Sequence, residues 1–412
     1  MNTSKTNSEI TRRQFLGTSA AAGMFAIGYK ADNWISIKEA GELQSALDTL
    51  PKQGGTIHIP TGTYNFNKPV TKKLLEGQHL FIVGDGRGSV LNNTNKSGEP
   101  LLQITAVTGA KWPDLRITIR DLAFVGNHQS GDALIVVWPN DILVDTCFFQ
   151  GHGGNAISLV PYGTNVTIRD CWIRDCKRGI RAEAIHHITL HGNQTRSLAG
   201  GQAQEEHVYI GCDSREIRIV NNHFAYGFKT AIILDGTAQH VISNNTIEGF
   251  NTAIEAHGVS DDKKYLDHCR DITITSNYLK AEIGVHLLGE CRGFAITGND
   301  FIDNRKAAIL IEQATGAGKH TIIGNVVRKS VYGGAFFPYP GTSPEQGGFR
   351  LGEAEDCIVS GNILDGIDPG PAICAGPGGG RHIITCNRIV RPKGIALDIT
   401  AEGCCIEHNI NT

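Results

Sequence analysis

No Cys-x-x-Cys pair occurs anywhere in the chain, which removes zinc ribbons and thioredoxin-like redox motifs. No apolar run reaches the ~18–20 residues that a spanning helix requires, so no membrane span is expected. Neither sign of charge dominates: 38 Lys and Arg stand against 41 Asp and Glu, a formal net charge of −3. A nucleic-acid-binding surface would show a clustered basic excess, and no nucleic-acid partner is expected. Methionine is scarce, with two in 412 residues. Glycine is what the chain has in plenty: 50 residues, well above the average share of about 7%. Together with apolar residues that are mostly β-branched, this favours strands and turns over helices. The eleven cysteines are odd in number, and a small disulfide-stapled scaffold is excluded by length.

The first thirty-one residues read as an export signal. Arg12 and Arg13 precede Phe15 and Leu16, and a short, weakly apolar stretch runs from Gly17 to Ile27. The segment resembles a twin-arginine signal, which implies a periplasmic or secreted protein and should be left out of fold reasoning. The domain proper is then 32–412. This route carries folded proteins, so the cysteines are read as small buried hydrophobes and not as a disulfide framework.

Internal repetition is the dominant signal. The segments Ile217–Phe224, Ile272–Leu279 and Phe294–Phe301 share one frame, with Asn222, Asn277 and Asn299 at the same place in it. Asn245, Asn325, Asn362, Asn387 and Asn409 recur in that frame, Asn193 fits it loosely, and Leu122, Cys147 and Cys171 hold the position earlier. Successive gaps are 25, 24, 22, 29, 23, 32, 22, 26, 37, 25 and 22 residues. A floor of 22 with occasional excess describes one structural unit decorated by insertions. A second apolar-alternating segment lies in each interval, such as Asn155–Val160, Thr230–Asp235 and Thr252–His257; alternation of this kind marks a strand with one buried face. Two or more short strands per ~22 residues, with no helical stretch between, predict one turn of a parallel β-helix whose coils bury one another. The repeated Asn is expected at an inward turn, bonding the Asn of the next coil in a ladder.

On these repeats, the chain resembles the pectate-lyase-like family of right-handed parallel β-helices, whose members include lyases, hydrolases, epimerases and fructosyl transferases. Ile37, Ala40, Leu43, Leu47 and Leu50 fall on one face of a predicted helix that would cap the first coil, and Gly54–Tyr64 and Leu80–Gly86 are similar to that family's opening coils. The resemblance implies an all-β solenoid of about 12 or more coils. It carries over no catalytic residue, because no motif of the family maps onto this sequence.

Stacking the second segments predicts which residues point outward. Inward positions are apolar throughout, from Leu134 and Val136 to Ile395 and Leu397. Two outward columns result, bland at their ends and charged in the middle. One carries Arg181, Tyr209, Glu255, His286 and Arg350; the other carries Glu183, Asp235, His257 and Glu312. Three insertions flank the same stretch: Ser197–Gln204, Val259–Cys269 with Lys263, and Val331–Gln346 with Tyr339. Loops on a rigid scaffold are where binding function concentrates, and aromatic faces suit sugar rings while lysines suit carboxylates.

Asp235, Glu255, His257 and His286 are therefore the candidate catalytic residues, and Arg181, Glu183, Tyr209, Lys263, Glu312, Tyr339 and Arg350 the candidate substrate contacts. Coils about 4.8 Å apart make Glu255 and His286, and Asp235 and His257, vertical neighbours. A pair such as Asp235 and Glu255, roughly 8 Å apart by the same spacing, is compatible with inverting glycoside hydrolysis. Elimination from a uronate instead needs a base (Tyr209, His257 or His286) and a cation beside the sugar carboxylate. Arg181 or Arg350 would supply that cation, or a Ca²⁺ held by Asp235, Glu255 and Glu183. The expectation is an exported enzyme that cleaves a polysaccharide or oligosaccharide, a uronate lyase before a hydrolase or a fructosyl-transferring enzyme. A non-catalytic glycan-binding surface β-helix is the alternative. A homotrimer is left open by the absence of a capping helix after Asn409.

Overall fold

The computed structural model describes residues 34–106, 115–197, 205–211, 213–258, 268–312, 318–328, 347–367, 371–390 and 396–412. The predicted export segment lies outside the described residues. So do most of the three insertions, including Lys263 and Tyr339.

The chain winds into a right-handed parallel β-helix of about thirteen turns. Each coil supplies three short strands, as in Asn140–Asp145, Phe148–Gln150 and Asn155–Val160. Like strands of successive coils pair in parallel and in register. The first face is a sheet of fifteen strands, running from Trp34–Ser36 to Cys405–Glu407. The second and third faces join into one sheet through two long strands, Thr246–His257 and Tyr278–Leu288. These turn the corner without a break, apart from a bulge between Glu248 and Phe250.

The core is the column of inward side chains. Ile157, Ile180, Val208, Ile232, Ile254, Val285, Ile309 and Phe349 stack on one another along the third face, and all are buried. Each such side chain contributes about 1.5–3 kcal/mol of transfer free energy, but only because its neighbours above and below exclude water from it. The predicted register holds to Ile373 and slips in the last coil: Leu397, not Ile395, aligns with Ile373, and Asp398 with Cys374. The apolar spacing there fits either frame, so alternation alone does not choose between them.

The asparagine ladder forms between the first and second faces. In each rung, Nδ2 donates to Oδ1 of the next Asn at 2.9–3.0 Å, from Asn193 through Asn222, Asn245, Asn277, Asn299, Asn325, Asn362 and Asn387 to Asn409. The same Oδ1 also accepts the backbone N–H of the preceding rung. The residue before each of these Asn has positive φ, as at Asn221, Asn244, Ser276, Gly298 and Gly324. A left-handed residue turns the chain sharply, and Asn, Ser and Gly are the residues that accept such turns cheaply or bond locally within them.

The helix Ala40–Asp48 covers the first coil, and its own Leu43 and Leu47, with Ile37 just before it, are buried. At the other end of the described residues, Ile406 and Ile410 are exposed. Cys147, Cys171, Cys176, Cys269 and Cys357 are free thiols in the core, as their reading as small hydrophobes requires. The helix Ala40–Asp48 is too short to cross a membrane, and among the described residues no helix is long and apolar enough to do so.

Candidate active site on the third face

The outward side of the third face carries the charged columns. Strict register sets residues far apart in sequence side by side on adjacent strands. Ile233 aligns with Glu255 and Asp235 with His257; Glu255 aligns with His286; Leu288 aligns with Glu312. Glu255, His257 and His286 all ride on the two long strands that run through the corner, where the backbone is tied on both sides.

Glu255 is the centre of a chain of alternating carboxylates and imidazoles. Its Oε1 lies 2.7 Å from Nε2 of His257. Its Oε2 accepts from the Thr230 hydroxyl at 3.4 Å and lies 3.9 Å from Nδ1 of His286, an ion-pair distance and not a hydrogen bond. On its far side, Nε2 of His286 lies 2.9 Å from Oε2 of Glu312. The His286 side chain is only 12% exposed, against 34% for His257.

Electrostatics follow from this chain. Burial works to raise the Glu255 pKa, but the two imidazoles outweigh it and bring it down to about 2. The hydrogen bond to Glu255 raises the pKa of His257, against a smaller opposing effect of burial. Burial works to lower that of His286, yet its two carboxylate partners leave it raised. Glu255 is thus a fixed carboxylate, and His257 and His286 both favour the imidazolium form.

Beside this chain lies a second network. The Tyr209 hydroxyl donates to Oδ2 of Asp235 at 2.9 Å, and the Tyr209 ring lies over Gly211, where a Cβ would come within 2.5 Å of it. The Arg181 guanidinium sits 4.9 Å from the Tyr209 ring centroid and is paired with Glu183. At the start of the strand that carries Arg181, Arg178 is held between Glu205 and Glu206, and burial pushes the Glu206 carboxyl up.

The structure therefore assembles Arg181, Glu183, Tyr209, Asp235, Glu255, His257, His286 and Glu312 on one surface. Arg350 extends the first column beyond Leu310. The three carboxylates named for Ca²⁺ are each engaged by another group: Glu183 by Arg181, Asp235 by Tyr209 and Glu255 by His257. Among the described residues no three His, Cys, Asp or Glu side chains converge as a metal-binding group.

Sequence reasoning missed Thr230, Arg178 and Glu206. All three belong to an outward position at the start of each third-face strand, aligned as Glu206 with Thr230. Strict alternation hides it, because Ala231 and Ile232 are both buried in succession where the chain bends into the strand. Aligning the coils at Thr230 and Thr252 would have been the signal.

Comparison with known proteins places the fold. Residues 150–317 match the family described as periplasmic copper-binding protein (NosD), less than half of the chain. No curated protein matches in sequence. Among solved structures, the A-module of the Azotobacter vinelandii mannuronan C-5 epimerase AlgE6 is similar at a TM-score of 0.57 and 14% identity, covering 94% of this chain and 98% of that one. The lidless DFA-IIIase from Arthrobacter chlorophenolicus A6 in complex with GF2 is similar at 0.54 and 13%, over 90% and 99% of the two chains. The N-terminal fragment of bacteriophage Phi29 gene product 12 reaches 0.60 and 12%, over 96% and 74%. At these identities the likeness is one of architecture: the chain is a parallel β-helix of the kind on which carbohydrate-acting enzymes and phage proteins are built.

Proposed function

We propose that this protein is an exported enzyme acting on a polysaccharide, and that its groove eliminates across a glycosidic bond of a uronate polymer. The observation that carries the reading is the pairing of two proton-handling networks: Tyr209 with Asp235, and His257 with Glu255, joined where Asp235 and His257 are vertical neighbours. Carbohydrate-acting proteins among the structural neighbours, an epimerase and a DFA-IIIase, support a glycan substrate.

In the proposed reaction the Tyr209 oxygen takes the proton α to the sugar carboxylate while passing its own proton to Asp235. The electron pair of that C–H bond becomes the new ring C=C, and the bond to the leaving glycosidic oxygen breaks. The His257 imidazolium gives a proton to that oxygen. Glu255 keeps His257 charged beforehand, since a carboxylate partner favours the protonated ring. Arg181, pinned by Glu183 and the Tyr209 ring, faces the substrate carboxylate and offsets the charge that builds there. A fixed carboxylate at Glu255 is a poor proton donor, which weighs against the paired-acid hydrolysis in which it would protonate the leaving group.

A panel of uronate polymers and neutral glycans tests this. Growth of the ultraviolet absorbance of an unsaturated product marks elimination. New reducing ends without it mark hydrolysis and overturn the lyase reading. Tight retention of a glycan with no product of either kind marks a binding protein. The triple change Glu255→Gln, His257→Ala, His286→Ala should abolish turnover with the fold intact; retained turnover removes this site from the mechanism.

A further inference from the structure

The opening coils place three polar side chains in a line on the outward side of the first face, away from the charged columns of the third. Ser36 lies on the strand Trp34–Ser36, at the end of the fifteen-strand sheet, and aligns with His58 on the strand Gly54–Ile59. Asp85 follows the strand His79–Gly84, which pairs next in that sheet. The Ser36 Oγ is 3.2 Å from Nδ1 of His58, and Nε2 of His58 is 2.8 Å from Oδ1 of Asp85. The other oxygen of Asp85 accepts the Thr61 N–H at 3.0 Å. The Asp85 N–H donates to the Ser89 hydroxyl at 2.8 Å, and the Gly86 N–H to Asp121 O at 2.9 Å. The turn that carries the carboxylate is therefore tied at both residues.

The chemistry of the three groups fixes the proton positions. An ionised carboxylate only accepts, so Nε2 of His58 carries the hydrogen and Nδ1 presents its lone pair to the Ser36 hydroxyl. The hydrogen bond to His58 holds the Asp85 carboxyl below its ordinary range, against a smaller opposing effect of burial. Nucleophile, base and orienting carboxylate in this sequence are the parts of an activated serine, with the two ring nitrogens in exchanged roles relative to the serine proteases. Two further features suit an acyl substrate. The Ile37 N–H donates to His58 O at 3.1 Å, so the Ser36 N–H, of opposite parity, points to the outer edge of the sheet. Among the described residues no strand pairs with that edge, and the N–H can donate to a carbonyl oxygen held at Oγ. The exposed Trp34 ring lies 5.1 Å from the His58 ring, centroid to centroid, as an apolar wall beside the base.

We infer that Ser36, His58 and Asp85 form a second catalytic site that hydrolyses short-chain acyl esters, with Ser36 as nucleophile, His58 as general base and acid, and Asp85 as the positioning residue. Nothing in this rests on the uronate reading. The Ser36 Oγ bonds to the ester carbonyl carbon as its proton passes to Nδ1 of His58, and the carbonyl π pair moves onto oxygen. As that pair returns, the bond to the alcohol oxygen breaks, and the His58 imidazolium protonates the departing alkoxide. Water then attacks the acyl-serine; Nδ1 takes one of its protons and returns it to Oγ, and the carboxylic acid leaves. An ester suits a site with one backbone donor beside the nucleophile, since the poorer leaving group of an amide demands more stabilisation. A short acyl group fits against the Trp34 ring.

The test is labelling of the full chain by a fluorophosphonate, read as intact mass and located by peptide mapping, together with hydrolysis of p-nitrophenyl acetate. That ester contains no uronate, so its outcome is independent of the third-face reading. One adduct on Ser36 is expected, with release of p-nitrophenol falling about 10²-fold or more in Ser36→Ala and in His58→Ala. Asp85→Asn should lower kcat with KM unchanged, and Asp85→Glu should recover part of the loss, a split that a role in folding alone would not produce. No adduct on Ser36, or release unchanged in Ser36→Ala, overturns the inference and leaves the three side chains as a surface tie between the opening coils. Should His58→Ala not fold, labelling of the parent and the Ser36→Ala rate decide the matter, since Ser36 is exposed.

Discussion

Replacing Asn277 by alanine should destabilise the protein far more than the same change at Asn409. Asn277 is 1% exposed. Its Nδ2 donates to Ile242 O at 2.9 Å and Asn299 Oδ1 at 3.0 Å. Its Oδ1 accepts from Asn245 N and Asn245 Nδ2, both at 3.0 Å. Alanine removes all four bonds and strands the Asn245 N–H in a dry core. With a net worth of about 1 kcal/mol per bond and 1–3 kcal/mol for an orphaned buried group, the loss is about 4 kcal/mol after the bonds that Asn245 and Asn299 keep are allowed for. Asn409 makes similar bonds to Asn387 and Ile384, but it is half-buried, with the exposed Ile410 beside it. Water replaces the lost partners there, and the cost should be about 1 kcal/mol. Urea unfolding followed by both circular dichroism and fluorescence gives the two shifts, with agreement of the probes checking that one transition is observed. Equal and small shifts for the two variants would refute the claim that the ladder stabilises the solenoid.

Further outcomes are expected. Turnover that depends on protonated His257 should decline as pH rises through its raised pKa. Glu255→Gln, which removes the main cause of that rise, should move this limb to lower pH as well as cut kcat by about 10²-fold or more, the range for a lost general acid–base contribution. Stability should fall on acidification: His207, His240 and His320 titrate near 3 and His152 near 4 because burial disfavours their charged form. Their contribution is present above about pH 6.5, where the unfolded chain also binds no proton, and is lost progressively between there and about pH 3. Four such groups give a slope of up to about 5 kcal/mol per pH unit in midrange, measurable as thermal midpoints across that window; a flat profile would contradict it. In native protein a thiol reagent should modify Cys386 and Cys405, which are exposed, and reach Cys147, Cys171 and Cys357 only on unfolding.

The sequence disclosed the solenoid because two signals repeat together: a period-two apolar strand and an Asn after a left-handed turn. Neither is ambiguous when seen many times. The alignment of Asp235 with His257 and of Glu255 with His286 was legible for the same reason, since register converts sequence offset into adjacency. Three things were not. Alternation says nothing about a strand that bends as it begins, so Thr230 stayed hidden. In the last coil, Leu397 and Ile399 mimic Ile395 and Leu397, and the frame slipped by one pleat. Rotamer choices, such as Tyr209 lying flat over Gly211 to reach Asp235, depend on a neighbour's missing Cβ and not on any pattern along the chain.

The rungs of the ladder are indifferent to how much polypeptide lies between them. Asn277 and Asn299 are 22 residues apart, Asn325 and Asn362 are 37 apart, and both pairs meet at 3.0 Å. Coil closure at that corner is thus uncoupled from the length of what bulges out elsewhere. Rim segments can be swapped, lengthened or trimmed by mutation while the stacked strands of the third face stay put, which gives a lineage built on this scaffold a cheap way to change what the proposed site accepts.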